Sequence, residues 1–166
     1  MKLKKLGILL IVSVFLLSSA AVVGAQDTTS SASVPANDEQ LMQAMSSEGT
    51  WIIIFYDDYS TDKELVMEGE HTNRGEVDRK LALYAQDDDH NVTERYTLEA
   101  TSITVRSPKT RFQGGIFKGD VYVESSNFAL RGFTVDRDVY FENEEAKLTF
   151  TVSGGTEITG DLINNF

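Results

Sequence analysis

An 18-residue period that begins at Thr101 constrains the fold of this chain more than any other feature of its sequence. Written in rows of 18, the chain reads TSITVRSPKTRFQGGIFK, GDVYVESSNFALRGFTVD and RDVYFENEEAKLTFTVSG. Ile103, Val121 and Val139 share a column, and Val105, Val123 and Phe141 share another two places on. Phe112, Leu130 and Leu148 fall in a third, and Phe117 and Val135 in a fourth. Ile158 resumes that fourth column after an insertion of five residues placed around Ser153 to Glu157. A fixed period of this length marks a chain that stacks one supersecondary unit on the next. Each row then forms about three short strands, and equivalent residues stack at the strand spacing of roughly 4.8 Å. Side chains alternate along a strand, so Val121 and Val123 face inward and Tyr122 outward, with Val139, Phe141 and Tyr140 repeating the pattern.

A sandwich or barrel is the competing all-β arrangement, but it needs hairpins, and Asn-Gly and Asp-Gly turns are missing. It also gives no reason for aligned columns. The expectation is an all-β fold, a right-handed parallel β-helix (a β-solenoid) with a short N-terminal capping helix. An 18-residue period also suits a left-handed hexapeptide helix. The insertion and the irregular earlier rows favour the right-handed form.

The chain before the repeat fits that picture. Asn37 or Asp38 can cap a helix running to Ser47, with Leu41, Met42 and Met45 on its apolar face and Gly49 ending it. So short a helix is marginal alone and must pack on something. Trp51 to Tyr56 is a β-branched and aromatic run suited to a buried strand. Glu64 to Glu68, Lys80 to Tyr84 and Tyr96 to Ala100 follow as short strands between polar segments.

Two resemblances rest on these residues. The helix followed by Gly49-Thr50-Trp51-Ile52-Ile53-Ile54-Phe55 resembles the capped start of right-handed parallel β-helix proteins of the pectate-lyase-like group. Gly119-Asp120-Val121 and Gly160-Asp161-Leu162 resemble the coils of bactofilins, polymer-forming cytoskeletal β-helices. The first implies glycan chemistry and the second assembly. Bactofilins are typically cytoplasmic, whereas this chain carries an export leader. The lyases are several coils longer, and their acidic calcium ligands and basic catalytic residue find no counterpart here.

The leader occupies residues 1–25. Lys2, Lys4 and Lys5 precede an apolar run from Leu6 to Leu17, and Val23-Gly24-Ala25 offers a small-residue cleavage point. The expected location is therefore secreted or at the cell surface, with no membrane contact once the leader is cleaved. Residues 26–36 (QDTTSSASVPA) read as a flexible linker, and 37–166 as one solenoid domain. The chain has no cysteine, hence no lipidated N-terminus, disulfide or thiolate metal site. The leader holds three lysines and no acid, so its loss takes the formal charge from −11 to −14. Bulk charge of that sign opposes nucleic acid and anionic lipid.

No residue pattern assigns catalysis. His71 and His90 stand in polar segments without a nucleophile partner. Asp87-Asp88-Asp89-His90-Asn91 is the densest acidic run, but consecutive residues in extended chain point apart, so it is no ready calcium cage. Asp120, Asp138 and Asp161 would line one edge of the stack, each engaging the backbone at its bend, with Lys118 and Arg137 near enough to pair. Tyr122 and Tyr140 form an outward ladder that could stack on sugar rings or stabilise the sheet. Asn91-Val92-Thr93 matches the N-glycosylation sequon. No catalytic residue, metal or cofactor is assigned, and the chain is not expected to be an enzyme. The helix would cover one end of the stack, whereas the tail Leu162-Ile163-Asn164-Asn165-Phe166 leaves the other bare and open to self-association. The expectation is a structural, adhesive or assembly protein, the alternative a polysaccharide-binding or lyase-related module whose partner is a cell-surface glycan.

Overall fold

The computed structural model describes residues 32–166. The predicted leader and the first part of the predicted linker, residues 1–31, lie outside the described residues. In chain order the elements open with β1 (Ala32–Ser33), α1 (Asp38–Met45), β2 (Ile52–Ile54), β3 (Tyr59–Ser60) and β4 (Glu64–Met67). Two small hairpins follow, β5 (Thr72–Asn73) with β6 (Glu76–Val77) and, after β7 (Arg79–Ala82), β8 (Tyr84–Gln86) with β9 (Val92–Arg95). The repeat then supplies β10 (Thr97–Val105), β11 (Thr110–Gln113), β12 (Ile116–Val123), β13 (Ala129–Arg131), β14 (Thr134–Asp136) and β15 (Val139–Phe141). Helix α2 (Glu144–Leu148), β16 (Thr151–Ser153), β17 (Glu157–Ile158) and β18 (Leu162–Asn164) complete the chain.

The fold is all-β, built from two parallel sheets. One has the order β1-β2-β7-β11-β13-β16. In the other, β10 and β12 lie at the centre, β3 and β4 pair with β10, and β14 and β15 pair with β12. Strands β17 and β18 continue from β14 and β15. The register follows the sequence period. Ile103 pairs with Val121, and Val121 with Val139. Phe112 pairs with Leu130. These residues are buried, as are Val105, Val123, Phe117 and Val135. Alternate burial along β11, β12 and β15 is what drives the period, since each buried aliphatic side chain contributes about 2 kcal/mol.

The fourth row departs from the predicted alignment. Phe112 and Leu130 are 18 apart, but Leu130 pairs with Val152, 22 residues on. Four of the five inserted residues thus precede β16 and fold as α2, capped by the Asn143 side chain on the Ala146 N–H (2.8 Å). The fifth lies between β16 and β17, where the spacing grows to 23. Leu148, assigned to the inward column, sits on α2 and is 74% exposed.

The earlier rows are longer because hairpins are inserted into them. Arg74 and Gly75 take φ of 53° and 86°, so Arg74-Gly75 turns β5 into β6 without the Asn-Gly pair that usually does so. The spacer expected before the domain contributes Ala32 and Ser33, which pair with Ile52 and Ile53. Between Glu99 and Ser102 the register of β10 slips against β12. Gly119 stands opposite that bulge with φ of 152°, and a Cβ there would strike the Ala100 carbonyl.

Helix α1 begins where predicted, with the Asn37 side chain accepting the Gln40 N–H (2.9 Å), and it ends earlier, at Met45. Leu41, Ala44 and Met45 are buried, whereas Met42 is half exposed, so the apolar face is narrower than expected. The helix is tied down by the buried Arg79, whose Nη2 donates to the Ala44 carbonyl at 2.8 Å and to that of Ser46 at 3.4 Å. A cation on the last carbonyls of a helix opposes the negative end of its dipole.

Candidate functional site

The two tyrosines meet as the register requires. Tyr122 on β12 pairs with Tyr140 on β15, and their rings stack with centroids 4.7 Å apart and planes 12° from parallel. Each ring gives one face to the other. Thr104 flanks Tyr122 and Ile163 flanks Tyr140 in the same outward column. The Tyr140 hydroxyl donates to Asp138 (3.2 Å). Burial, then the surrounding acids, raise the pKa of the Tyr122 hydroxyl. Burial and the Asp138 hydrogen bond do so for Tyr140. The ladder therefore presents ring edges and partly shielded faces.

Of the stacked aspartates, Asp138 does engage backbone, but in the next row: its carboxylate accepts the Asp161 N–H at 2.8 Å. Neither Lys118 nor Arg137 has a carboxylate within 4.0 Å among the described residues. Beside them runs an open groove of about 760 Å³ lined by Asp62, Glu99, Asp120 and Asp136 together with Lys118 and Arg137. In the sheet, Lys118 lies in register between Glu99 and Asp136. The described residues contain no group of three His, Asp or Glu side chains able to hold a metal ion.

The acidic run at Asp87 is a turn held by its own first residue. Asp87 accepts the N–H groups of Asp89 (3.0 Å) and Asn91 (2.8 Å) and the Asn91 side-chain amide (3.1 Å). The hydrogen bonds from Asn91 hold its carboxyl below the usual carboxylate range. His90 sits at the turn with φ of 65° and meets Gln86 at 3.1 Å. His71 belongs to the helix dock: its Nε2 lies 3.3 Å from the Glu68 carbonyl, and burial, then the charge of Arg79, lowers its pKa.

The ends of the stack differ. The inward columns begin beneath α1 and end in β16, β17 and β18. There Val152 is 55% and Leu162 56% exposed, although Leu130 and Val139, their partners one row earlier, are fully buried. Phe166 adds another exposed apolar side chain.

One cluster escaped the sequence reading. Beneath the β5–β6 hairpin lies a cleft of about 610 Å³ whose walls carry Arg74, Lys109, Arg111 and Arg131 against only Glu76 and Asp78. Arg111 forms a bidentate pair with Asp78, its Nη2 at 3.0 Å from Oδ2. The row alignment does contain part of this signal, since Lys109 and Asn127 are equivalent positions 18 apart. Arg74 arrives from an insertion that no repeat reveals.

Comparison with protein-family models, with curated proteins and with solved structures finds no match to this chain.

Proposed function

We propose that the chain is an exported right-handed parallel β-helix that acts, without catalysis, at or outside the cell surface in structure, adhesion or assembly. It would associate with a second copy through its C-terminal end. The observation that carries this reading is the run-out of the core. Three inward columns end in Val152, Ile158 and Leu162, and the backbone edges of β16, β17 and β18 have no further strand beside them among the described residues. An identical end offers the same apolar positions and the same unpaired edges. Because α1 covers the other end, pairing closes on a two-fold axis instead of growing into a filament. The last row carries Glu157 and Asp161 and no base, so salt, by screening their repulsion, should strengthen the pairing. Sedimentation equilibrium of the leader-free chain tests this. A dimer that tightens with salt and is lost on Leu162→Asp supports the reading, whereas a monomer in both proteins contradicts it.

The groove beside Lys118 and Arg137, with its four carboxylates, supports a second reading as a polysaccharide-binding or lyase-related module. The likeness of the capped start to the pectate-lyase-like group points the same way. Under that reading the double variant Tyr122→Ser, Tyr140→Ser loses glycan pull-down while remaining folded. Unchanged capture removes the tyrosines from the site.

A further inference from the structure

We propose that the cleft beneath the β5–β6 hairpin binds an anionic saccharide through its oxyanion groups. The inference stands apart from end-to-end pairing, because a monomer keeps the cleft. Its first support is charge. In a chain of net charge −11, four cations gather around one hollow that holds two carboxylates. Among the described residues only Arg111 of the four has a carboxylate within 4.0 Å, which leaves Arg74, Lys109 and Arg131 without an ion partner. Cations without an ion partner leave the hollow positive, which favours an anion there.

The second support is backbone strain. Arg74, Lys109 and Asn127 all line this cleft and all have positive φ, at 53°, 52° and 59°. Glycine or asparagine takes that conformation readily, whereas a lysine or arginine does so at a cost of order 1 kcal/mol. Two long cations therefore stand where the backbone alone favours glycine. The strain is explained if their side chains are needed at that place.

The lining selects the ligand class. Asn127 offers a side-chain amide and Thr151 a hydroxyl, whereas Thr149 and Asn73 are already bonded to Glu145 and Asp78; no aromatic ring is among the lining residues, and Ala129 stands between Arg111 and Thr151. Such groups suit a hydroxyl-rich ligand. The acidic remainder of the chain repels a densely charged polymer such as nucleic acid more than a sparsely charged saccharide. Carboxylate and sulfate share the oxyanion chemistry that Lys and Arg recognise.

Isothermal titration at low salt, on the leader-free chain, separates these possibilities. The probes are size-matched oligosaccharides of hyaluronan (carboxylate), sparsely sulfated dextran (sulfate) and neutral dextran, with an oligothymidylate as competitor. Binding to the hyaluronan arm, the sulfate arm or both, but not to dextran, is expected and identifies the anion. Lys109→Gln and Arg131→Gln should each weaken it roughly tenfold. Lys109→Gly should weaken it equally while leaving the melting temperature unchanged or higher, since glycine relieves the strained φ. Lys63→Gln removes the same charge from an exposed site outside both the cleft and the acidic groove and should have no effect. No binding, equal binding to dextran, or preference for the oligothymidylate overturns the proposal. An equal loss in Lys63→Gln also overturns it.

Discussion

The two ends of the stack are made from the same inward columns and treated in opposite ways. At the N-terminal end Leu65 is 1% exposed, with Leu41 and Met45 of α1 buried beside it. At the C-terminal end Leu162 continues the column of Leu65, Ile103, Val121 and Val139 and is 56% exposed. One end is finished by a helix, a paired strand and a buried arginine. The other stops with its core open. Repeat architectures need a polar cover at each terminus for solubility, and the proposed pairing would put a second copy at the open end.

The contrast is sharpest in stability. Leu41→Ala should cost about 3 kcal/mol, because it empties a fully enclosed site. Leu162→Ala should cost the monomer less than about 0.5 kcal/mol, because solvent already reaches that side chain. Equal losses in urea melts of the two variants at low protein concentration would break the comparison. Arg79→Ala should cost about 2 kcal/mol through the lost hydrogen bonds to the last carbonyls of α1 and the cavity left behind. Exchange of the α1 amides with solvent should rise more than that of β13 or β15 amides.

A smaller effect concerns pH. His71 has a lowered pKa in the fold, caused first by burial and then by the charge of Arg79. The unfolded chain, where histidine titrates near 6.5, therefore binds the proton more readily than the folded chain does. Stability from this residue is present in full above about pH 6.5 and falls as pH drops through that value toward the lower folded pKa. His71→Gln should flatten the decline between neutral pH and pH 5 as followed by urea unfolding. A pH profile identical to the parent's would detach His71 from the capped end.

Where packing sets the spacing, the sequence was readable. Ile103, Val121 and Val139 align because each fills the same slot one row apart, and the stacking of Tyr122 on Tyr140 follows from that register. The cap was readable too, since Asn37 followed by acids is a local signal. Reading failed where local signals compete or where tertiary structure decides. Leu148 and Val152 are both apolar, and only the Asn143 cap and its two glutamates distinguish a helix from a strand there. The buried Arg79 lies just before the strand predicted from Lys80 to Tyr84, and a lone cation there gives no hint that helix carbonyls wait above it. The basic cleft needs Arg74, at the tip of a hairpin, to come beside Lys109 and Arg131 from two later rows. No period carries that information.

Hydrogen exchange followed by mass spectrometry at increasing protein concentration tests most directly whether the open end is the interface. Exchange in β16 and β18 should slow as concentration rises, and in salt it should slow further, while β1 and β2 at the capped end stay unchanged. Concentration-independent exchange throughout, or slowing confined to the capped end, would contradict the account.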